Sequence, residues 1–483
     1  MAEHILFLTG KLAEKRLKRV LAGMTEPGFT FEVRNLGLTV AALMTAEMIG
    51  RRLDGVAGFD RVIVPGLCRG DLEALSGRYG VPVVRGSKDL KDLPAYFGQG
   101  GRPMDLSGYD VSIFAEIVEA PQVGIEAILT VARRYAADGA DVIDIGCLPD
   151  TPFPHLEETV RCLKAEGFKV SVDSLQADEL LRAGRAGADY LLSLHEETLW
   201  VAAEVEAVPI LIPEPHGDLD SLCRAIGKMR EMGRPFIADS ILDPIHFGFY
   251  DSLLRYHELR RRWPDIDIMM GIGNLTELTE ADTSGINATL FGLISELGVT
   301  SVLTTEVSPH ARSAVREADV ARRIMYAARR EQSLPKGLDS SLLTGHARKP
   351  WPYSADEIAE LAREVKDPSY RVQVSEEGIH VFNRDGMISA QEPFALFPEL
   401  TRLHEDPPHA FYMGVELAKA RIALQLGKRY IQDEELEWGA AVASPDPGQQ
   451  QQQSEMQHGM KESNRPGTTL AASRQRKRRS KRS

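Results

Sequence analysis

Two hydrophobic rhythms run along this chain. Between about residues 110 and 330, short continuous apolar runs rich in β-branched residues recur: "DVSIFAEIV", "ADVIDIGC", "KVSVDS", "DYLLSLH", "VPILIPE", "PFIADSILD", "IDIMMGIGN" and "VTSVLTTEV". Most are separated by stretches such as "GIEAILTVARRYAADGA" and "HLEETVRCLKAEG", where apolar residues return every three or four positions. Continuous apolar strands alternating with helices predict a parallel sheet covered on both faces. Eight such pairs in about 220 residues predict a closed (β/α)8 TIM barrel. The alternative is a doubly wound open sheet.

The flanks follow other patterns. Residues 1–105 read as a small α/β domain, with strands "HILFLTG", "FDRVIVPG" and "VPVVRG" and a helix over "KLAEKRLKRVLAGM". Thr9-Gly10-Lys11 sits at a strand-to-helix turn where a phosphate could be touched, without the upstream glycine of a nucleotide loop. The barrel is expected over 106–335 and a small α+β domain over 336–442. In the latter, Ser354 is a helix cap before "ADEIAELAREV". "YRVQVSEEGIHVFNRDGMI" reads as a hairpin around Glu377-Gly378, with a further turn at Asp385-Gly386. "HAFYMGVELAKARIALQLG" is a long helix, with Val415, Ala418, Ile422 and Leu426 as its buried stripe and Gly427 as its stop. Residues 443–483 are expected to be a disordered tail ending in "RQRKRRSKRS", a solvated basic segment able to meet RNA, acidic lipid or a partner protein.

Composition narrows the class. A length of 483 residues exceeds one ordinary core, and 43% hydrophobic residues suffice for burial. The net charge of −13 argues against a general nucleic-acid or anionic-membrane surface. No apolar run reaches membrane-spanning length, and "MAEHILFLTGK" lacks a signal peptide's basic start and long apolar core. Cys68, Cys147, Cys162 and Cys223 have no metal-ligand spacing and read as reduced thiols of a cytoplasmic protein.

Active sites of such barrels lie at the C-terminal ends of the strands. The first run offers Glu116 and Glu119 there, the second Asp144, the third Asp173, and the fourth Ser193 and His195. The fifth offers Glu214, the sixth Asp239 and Asp243, the seventh Asn274 and the eighth Glu306. One such acid is more often a solvated cap than a functional group. Several converging in one cleft repel one another unless a ligand uses them. A flat heterocycle with an amidine-like edge fits, because it presents two parallel donors to one carboxylate. A pterin has such an edge.

"GADVIDIG", "KVSVDS" followed by a helix and "AGRAGADYLLS", and then "LDPIHFGF" resemble the pterin-binding barrel of dihydropteroate synthases and methyltetrahydrofolate:corrinoid methyltransferases. The resemblance covers about residues 110–330. It implies that Asp173 and Asp243 hold a pterin, that Ser193 stands where the family has an asparagine, and that Asp144 occupies the "DIG" position. The sequence departs from the synthases elsewhere. "GCLPDTPFPH" replaces their Ser/Thr-Arg-Pro loop, "GIGNLTELTEADTSG" replaces their lysine-bearing segment, and "TEVSPHAR" carries His310 and Arg312 in reversed order. "GIGN" is similar instead to the methyltransferases, whose matching asparagine is Asn274 here.

The flanks look like accessory domains of the tetrahydromethanopterin-associated subgroup. The resemblance therefore implies a transferase that joins a dihydropterin-CH2-diphosphate to an aryl amine carrying a ribofuranosyl phosphate. Asp144 and Asp173 would be catalytic, and Asp173, Ser193, Asp243 and Asn274 would bind the pterin. His246, His310, Arg312 and, less directly, Lys11 would meet phosphate, and Mg2+ would be held with Glu116 as a ligand. A homodimer without membrane or nucleic-acid partners is expected. Two other readings stand beside it: methyl transfer from a methyl-tetrahydropterin to a corrinoid protein, and a non-catalytic pterin-binding protein.

Overall fold

The computed structural model describes residues 3–443 apart from 25–26, 39–40, 42–43, 88–89 and 98–104. The expected basic tail lies outside the described residues from 444 onward. Near the N-terminus, β1 (Glu3–Thr9), β2 (Phe29–Asn35), β3 (Arg61–Val64) and β4 (Val83–Arg85) form a parallel sheet in the order β2-β1-β3-β4. Strand β1 is apolar on both faces. Ile5 and Phe7 pack with Leu17 and Leu21 of helix Lys11–Ala22, while Leu6 and Leu8 pack with Ile49 and Leu53 on the other side. Sequence reasoning missed β2, because "FTFEVRN" carries Glu32, Arg34 and Asn35 and lacks a continuous apolar run.

The eight central apolar runs become β5 (Ser112–Ile117), β6 (Val142–Gly146), β7 (Lys169–Asp173), β8 (Tyr190–Leu194), β9 (Val208–Leu211), β10 (Ile237–Ala238), β11 (Asp267–Gly271) and β12 (Ser301–Thr305). Every neighbouring pair is parallel, and β12 pairs with β5 to close a TIM barrel. Both faces are apolar because both are covered. Ile113, Ile143, Val170 and Leu191 pack outward with Ile128, Val160 and Leu180 of the surrounding helices. Phe114, Val142, Leu192, Ile210, Ile237 and Met269 fill the inside.

At the N-terminal end of the barrel, Arg322 of helix Ala314–Arg330 is buried. It donates to Val111 O at 2.6 Å and Gly139 O at 2.9 Å, pairs with Asp319 at 2.6 Å and with Asp141, and stacks on the Tyr109 ring.

Towards the C-terminus, β13 (Arg371–Ser375), β14 (Gly378–Asn383) and β15 (Gly386–Ala390) form an antiparallel meander with turns where the hairpins are expected. Ser354 and Glu357 form a capping box at the start of helix Ala355–Arg363. Helix Pro407–Leu426 ends at Gly427, whose φ of 61° is the left-handed conformation glycine adopts freely. Replacing Gly427 with alanine is expected to cost about 1 kcal/mol in denaturant unfolding.

The buried stripe of this helix needs correcting. Met413, Glu416, Leu417, Ala420 and Ala423 face the core, whereas Val415 and Ile422 are 40% and 36% exposed and Ala418 is exposed. Buried Glu416 is tolerated because the Tyr430 hydroxyl donates to it at 2.6 Å and the Asp433 N–H at 3.2 Å. An acid on the core face disguises the apolar period.

Local pattern suggests three bodies plus a tail, and packing gathers the described chain into two units. Met1–Met104 and Gly345–Glu437 form one, and Asp105–Thr344 with Trp438–Ser444 forms the other. Within the first, Arg16 pairs with Glu357 at 3.2 Å and lies over the Tyr353 ring. No helix among the described residues is long and apolar enough to cross a membrane.

Candidate active site

Side chains alternate along a strand, so a residue two positions beyond an inward-facing one also faces inward. Two beyond Phe114 is Glu116, two beyond Val142 is Asp144, two beyond Ile237 is Asp239, and two beyond Met269 is Gly271. On β7, Val170 and Val172 face the helices, which turns Ser171 and Asp173 inward. The apolar plug of the barrel is thus topped, at its C-terminal end, by a layer of acids.

Glu116, Asp144 and Asp173 each bring a carboxylate oxygen within 4.8 Å of the other two. Asp144 is fully buried and neither of its oxygens has a hydrogen-bond partner. Burial, then the charge of Glu116, push its carboxyl up to about 8. Burial raises Glu116, and burial with Asp144, Glu116 and Asp239 raises Asp173 well above the usual range. The Glu116 carboxylate has room because Gly146 lies under it: a Cβ on Gly146 would come within 2.5 Å of Glu116 Oε1.

Asp239, one of the two acids the sixth strand offers at the mouth, is a fourth buried acid, though the resemblance gave it no role. It accepts the Tyr256 hydroxyl at 2.5 Å and the Ile241 N–H at 2.7 Å, and these offset the burial that holds it at about 6. Asp243, expected at the pterin edge, sits four residues further along in the loop after β10. Arg255 donates to its Oδ2 at 2.6 Å and His216 Nε2 lies 2.8 Å from its Oδ1. Gly248, at φ 118°, lets the loop fold over it; a Cβ there would lie 2.9 Å from Asp243 Oδ2. Asp243 is thus held by Arg255 and His216, while the charge of Asp239 reaches Asp173.

The remaining expected residues spread around the mouth. Ser193 is buried at an irregularity of β8 where Leu192 faces inward and Leu194 outward. Asn274 lies in the helical turn Gly273–Thr276 and donates through Nδ2 to Leu242 O at 2.6 Å, which leaves its side-chain carbonyl as an acceptor. His246 is exposed, with φ 69°. His310 Nε2 lies 3.1 Å from Thr276 O, and Arg312 is exposed. Glu119 and Glu214 are exposed. Glu306 is not part of the acidic layer. It follows inward-facing Thr305, so it points outward, where it pairs with Arg134 at 2.5 Å and accepts the Val315 N–H. Lys11 lies in the other compact unit. The Cys147 thiol packs with the outer core, and burial and Glu179 push it up, against thiolate formation.

The eight loops that follow the barrel strands contain Arg312 as their one lysine or arginine, among many acids. The mouth is an acceptor-rich, negatively charged cup.

A sequence profile described as a family of unknown function (DUF6513) matches residues 3–88. The chain is 24% identical to the uncharacterized protein MJ0107 of Methanocaldococcus jannaschii, over 89% of this chain and 98% of that protein. Similar solved structures include a Yersinia pestis dihydropteroate synthase with a pterine-sulfa conjugate, 18% identical over 47% of this chain and 95% of that one, with a TM-score of 0.37. The 7,8-dihydropteroate synthase of Vibrio fischeri is 17% identical, covering 47% and 96%, with a TM-score of 0.37. A dihydropteroate synthase from Coxiella burnetii in complex with pteroic acid is 16% identical, covering 46% and 94%, also with a TM-score of 0.37.

Proposed function

We propose that the barrel mouth grips a reduced pterin by its N–H edge and catalyses transfer at the pterin's 6-methylene, joining it to an aryl amine. The observation that carries this reading is the buried Asp144 carboxyl, with only the Ser171 hydroxyl beside it to favour its charge, flanked by Glu116 and Asp173. Buried acceptors without donors call for a donor-rich or cationic ligand.

Asp173, with Ser193 and Asn274, would hold the ring; Asp243 would keep the loop beside it in place, and Asp239 would accept a further N–H. In the reaction the C–O bond to the diphosphate breaks with its electron pair leaving on oxygen, the amine nitrogen bonds to the methylene, and the amine releases a proton. Positive charge grows on the ring as the leaving group departs. With the ring bound, its N–H edge would favour the ionised forms of Asp144 and Asp173, and their negative charge would then stabilise that state more than the neutral ground state. Magnesium, when bound, would neutralise the diphosphate, and Glu116 would hold it. His246, His310 and Arg312 would meet the phosphate groups, including that of an amine carrying a ribofuranosyl phosphate, as in tetrahydromethanopterin biosynthesis.

One observation favours a second reading, methyl transfer from a methyl-tetrahydropterin to a corrinoid protein. A mouth with a single arginine among its loops suits a substrate without diphosphate, and Asn274 would then stand near pterin N5.

Calorimetric titration with 7,8-dihydropterin-6-methyl diphosphate, with and without Mg2+, tests the ring assignment. Asp173→Asn is expected to weaken binding by about 10- to 100-fold, the worth of a charged hydrogen bond. Diphosphate release that depends on an added aryl amine selects the first reading. A cobalamin spectral change on adding methyl-tetrahydropterin selects the second. Tight binding without either reaction selects a pterin-binding protein, and no binding rejects the pterin.

A further inference from the structure

We infer that Glu116, Asp144 and Asp173 form a site for a hard divalent cation, built from protein carboxylates alone and occupied in the absence of any substrate. This goes beyond the ring assignment, which asks only for Glu116 as a metal ligand.

The three acids come from adjacent strands in register. Glu116 pairs with Asp144 across β5 and β6, and Asp173 ends β7 opposite Gly146. One oxygen from each lies within 4.8 Å of the others. Neighbouring oxygens around one ion are about 3 Å apart on Mg2+ and about 3.4 Å on Ca2+, so a modest rotation of these side chains would bring all three onto a single ion.

Independent features point to a ligand. Asp144 is fully buried and both of its oxygens lack a partner. Ser171, in register with Asp144 and on the same inward face, is also fully buried; its hydroxyl is the neighbour that favours the charged form of Asp144, and neither side chain has a further partner. Gly146 adds the third feature, since any side chain there would collide with Glu116 Oε1 and push it out of the cluster.

The donors are all oxygen, which selects Mg2+, Mn2+ or Ca2+ over Zn2+ or Cu2+. Cys147 packs away from the site with the outer core. The shortage of lysine and arginine in the mouth loops gives the ion a second role, because an anionic substrate group has few protein cations to meet and would be met by the metal.

The test uses the whole chain, stripped with EDTA and titrated with Mn2+ alone, followed by electron paramagnetic resonance and calorimetry. One Mn2+ per chain is expected, displaced by Mg2+ or Ca2+. Asp144→Asn and Glu116→Gln are each expected to weaken binding by roughly 100-fold. Gly146→Ala, which keeps every carboxylate, is expected to weaken it too, and a thermal melt of each variant shows that the fold is retained. Absence of Mn2+ binding, or binding that survives Asp144→Asn and Glu116→Gln together, overturns the inference. No pterin is present, so a chain that binds Mn2+ and ignores pterins loses the ring assignment and keeps the metal site.

Discussion

Metal-free protein carrying Asp144→Asn is expected to be more stable than the wild type at pH 8, and to bind ligand at the mouth far more weakly. The unfolded chain holds the Asp144 carboxyl near its ordinary value of 3.8, while the folded barrel holds it at about 8. A folded value raised in this way gives stability that is present below pH 3.8 and lost as the pH rises through about 8. Each tenfold step costs about 1.4 kcal/mol. The net loss is smaller than the full span, because Glu116 and Asp173 can take up part of the proton that Asp144 releases. We expect Asp144→Asn to recover about 2 kcal/mol at pH 8, or about 5 °C in thermal midpoint. The gain is expected to vanish near pH 4, where the wild-type carboxyl is protonated. A series of melts from pH 4 to 9 in EDTA checks both limbs; a midpoint in the wild type that stays level over that range contradicts the account. A substitution that stabilises the fold while disabling the site is the usual signature of residues selected for function.

Arg322→Ala is expected to lose about 3–5 kcal/mol, which lowers the melting temperature of the barrel by about 10 °C. Alanine removes the bonds to Val111 O and Gly139 O and leaves Asp141 and Asp319 short of a partner where burial makes charge costly. Arg322→Lys retains the charge and loses the planar fork, so it is expected to fall between wild type and alanine. Arg322 lies at the N-terminal end of the barrel, away from the strand tips, so the affinity of the folded fraction for ligand is expected to be unchanged. Measuring melting and binding on the same preparations separates the two effects.

The barrel was legible because its strands are buried on both faces, and continuous apolar runs such as "DVIDIG" and "KVSVDS" suit little besides a covered parallel sheet. Glu116, Asp144 and Asp173 were legible for the same reason, as acids ending such runs. Asp239 and Asp243 were both offered at one strand tip because "FIADSILD" reads as one long strand. The strand in fact stops at Ala238, and the chain turns at Ile241 with φ 63°, so Asp243 falls in a loop. Glu306 misled in the opposite sense, since alternation from Leu303 and Thr305 sends it outward to Arg134. In helix Pro407–Leu426, apolar spacing alone pointed to Val415 and Ile422, because nothing local reveals that Tyr430 and Asp433 would satisfy a buried Glu416. Alternation inside a known strand is local information; a distant hydrogen-bond partner is not.

The first compact unit is assembled from both ends of the described chain, with the barrel segment between them. This has a consequence for synthesis on the ribosome. The parallel sheet β2-β1-β3-β4 emerges first and must wait through the whole barrel before residues 345–437 arrive to complete its unit. The barrel, contiguous in sequence but for a short closing segment, can begin to fold during that interval. A nascent chain halted near residue 344 would then present a largely folded barrel beside a sheet still short of its partner, the form in which a chaperone would be expected to meet it.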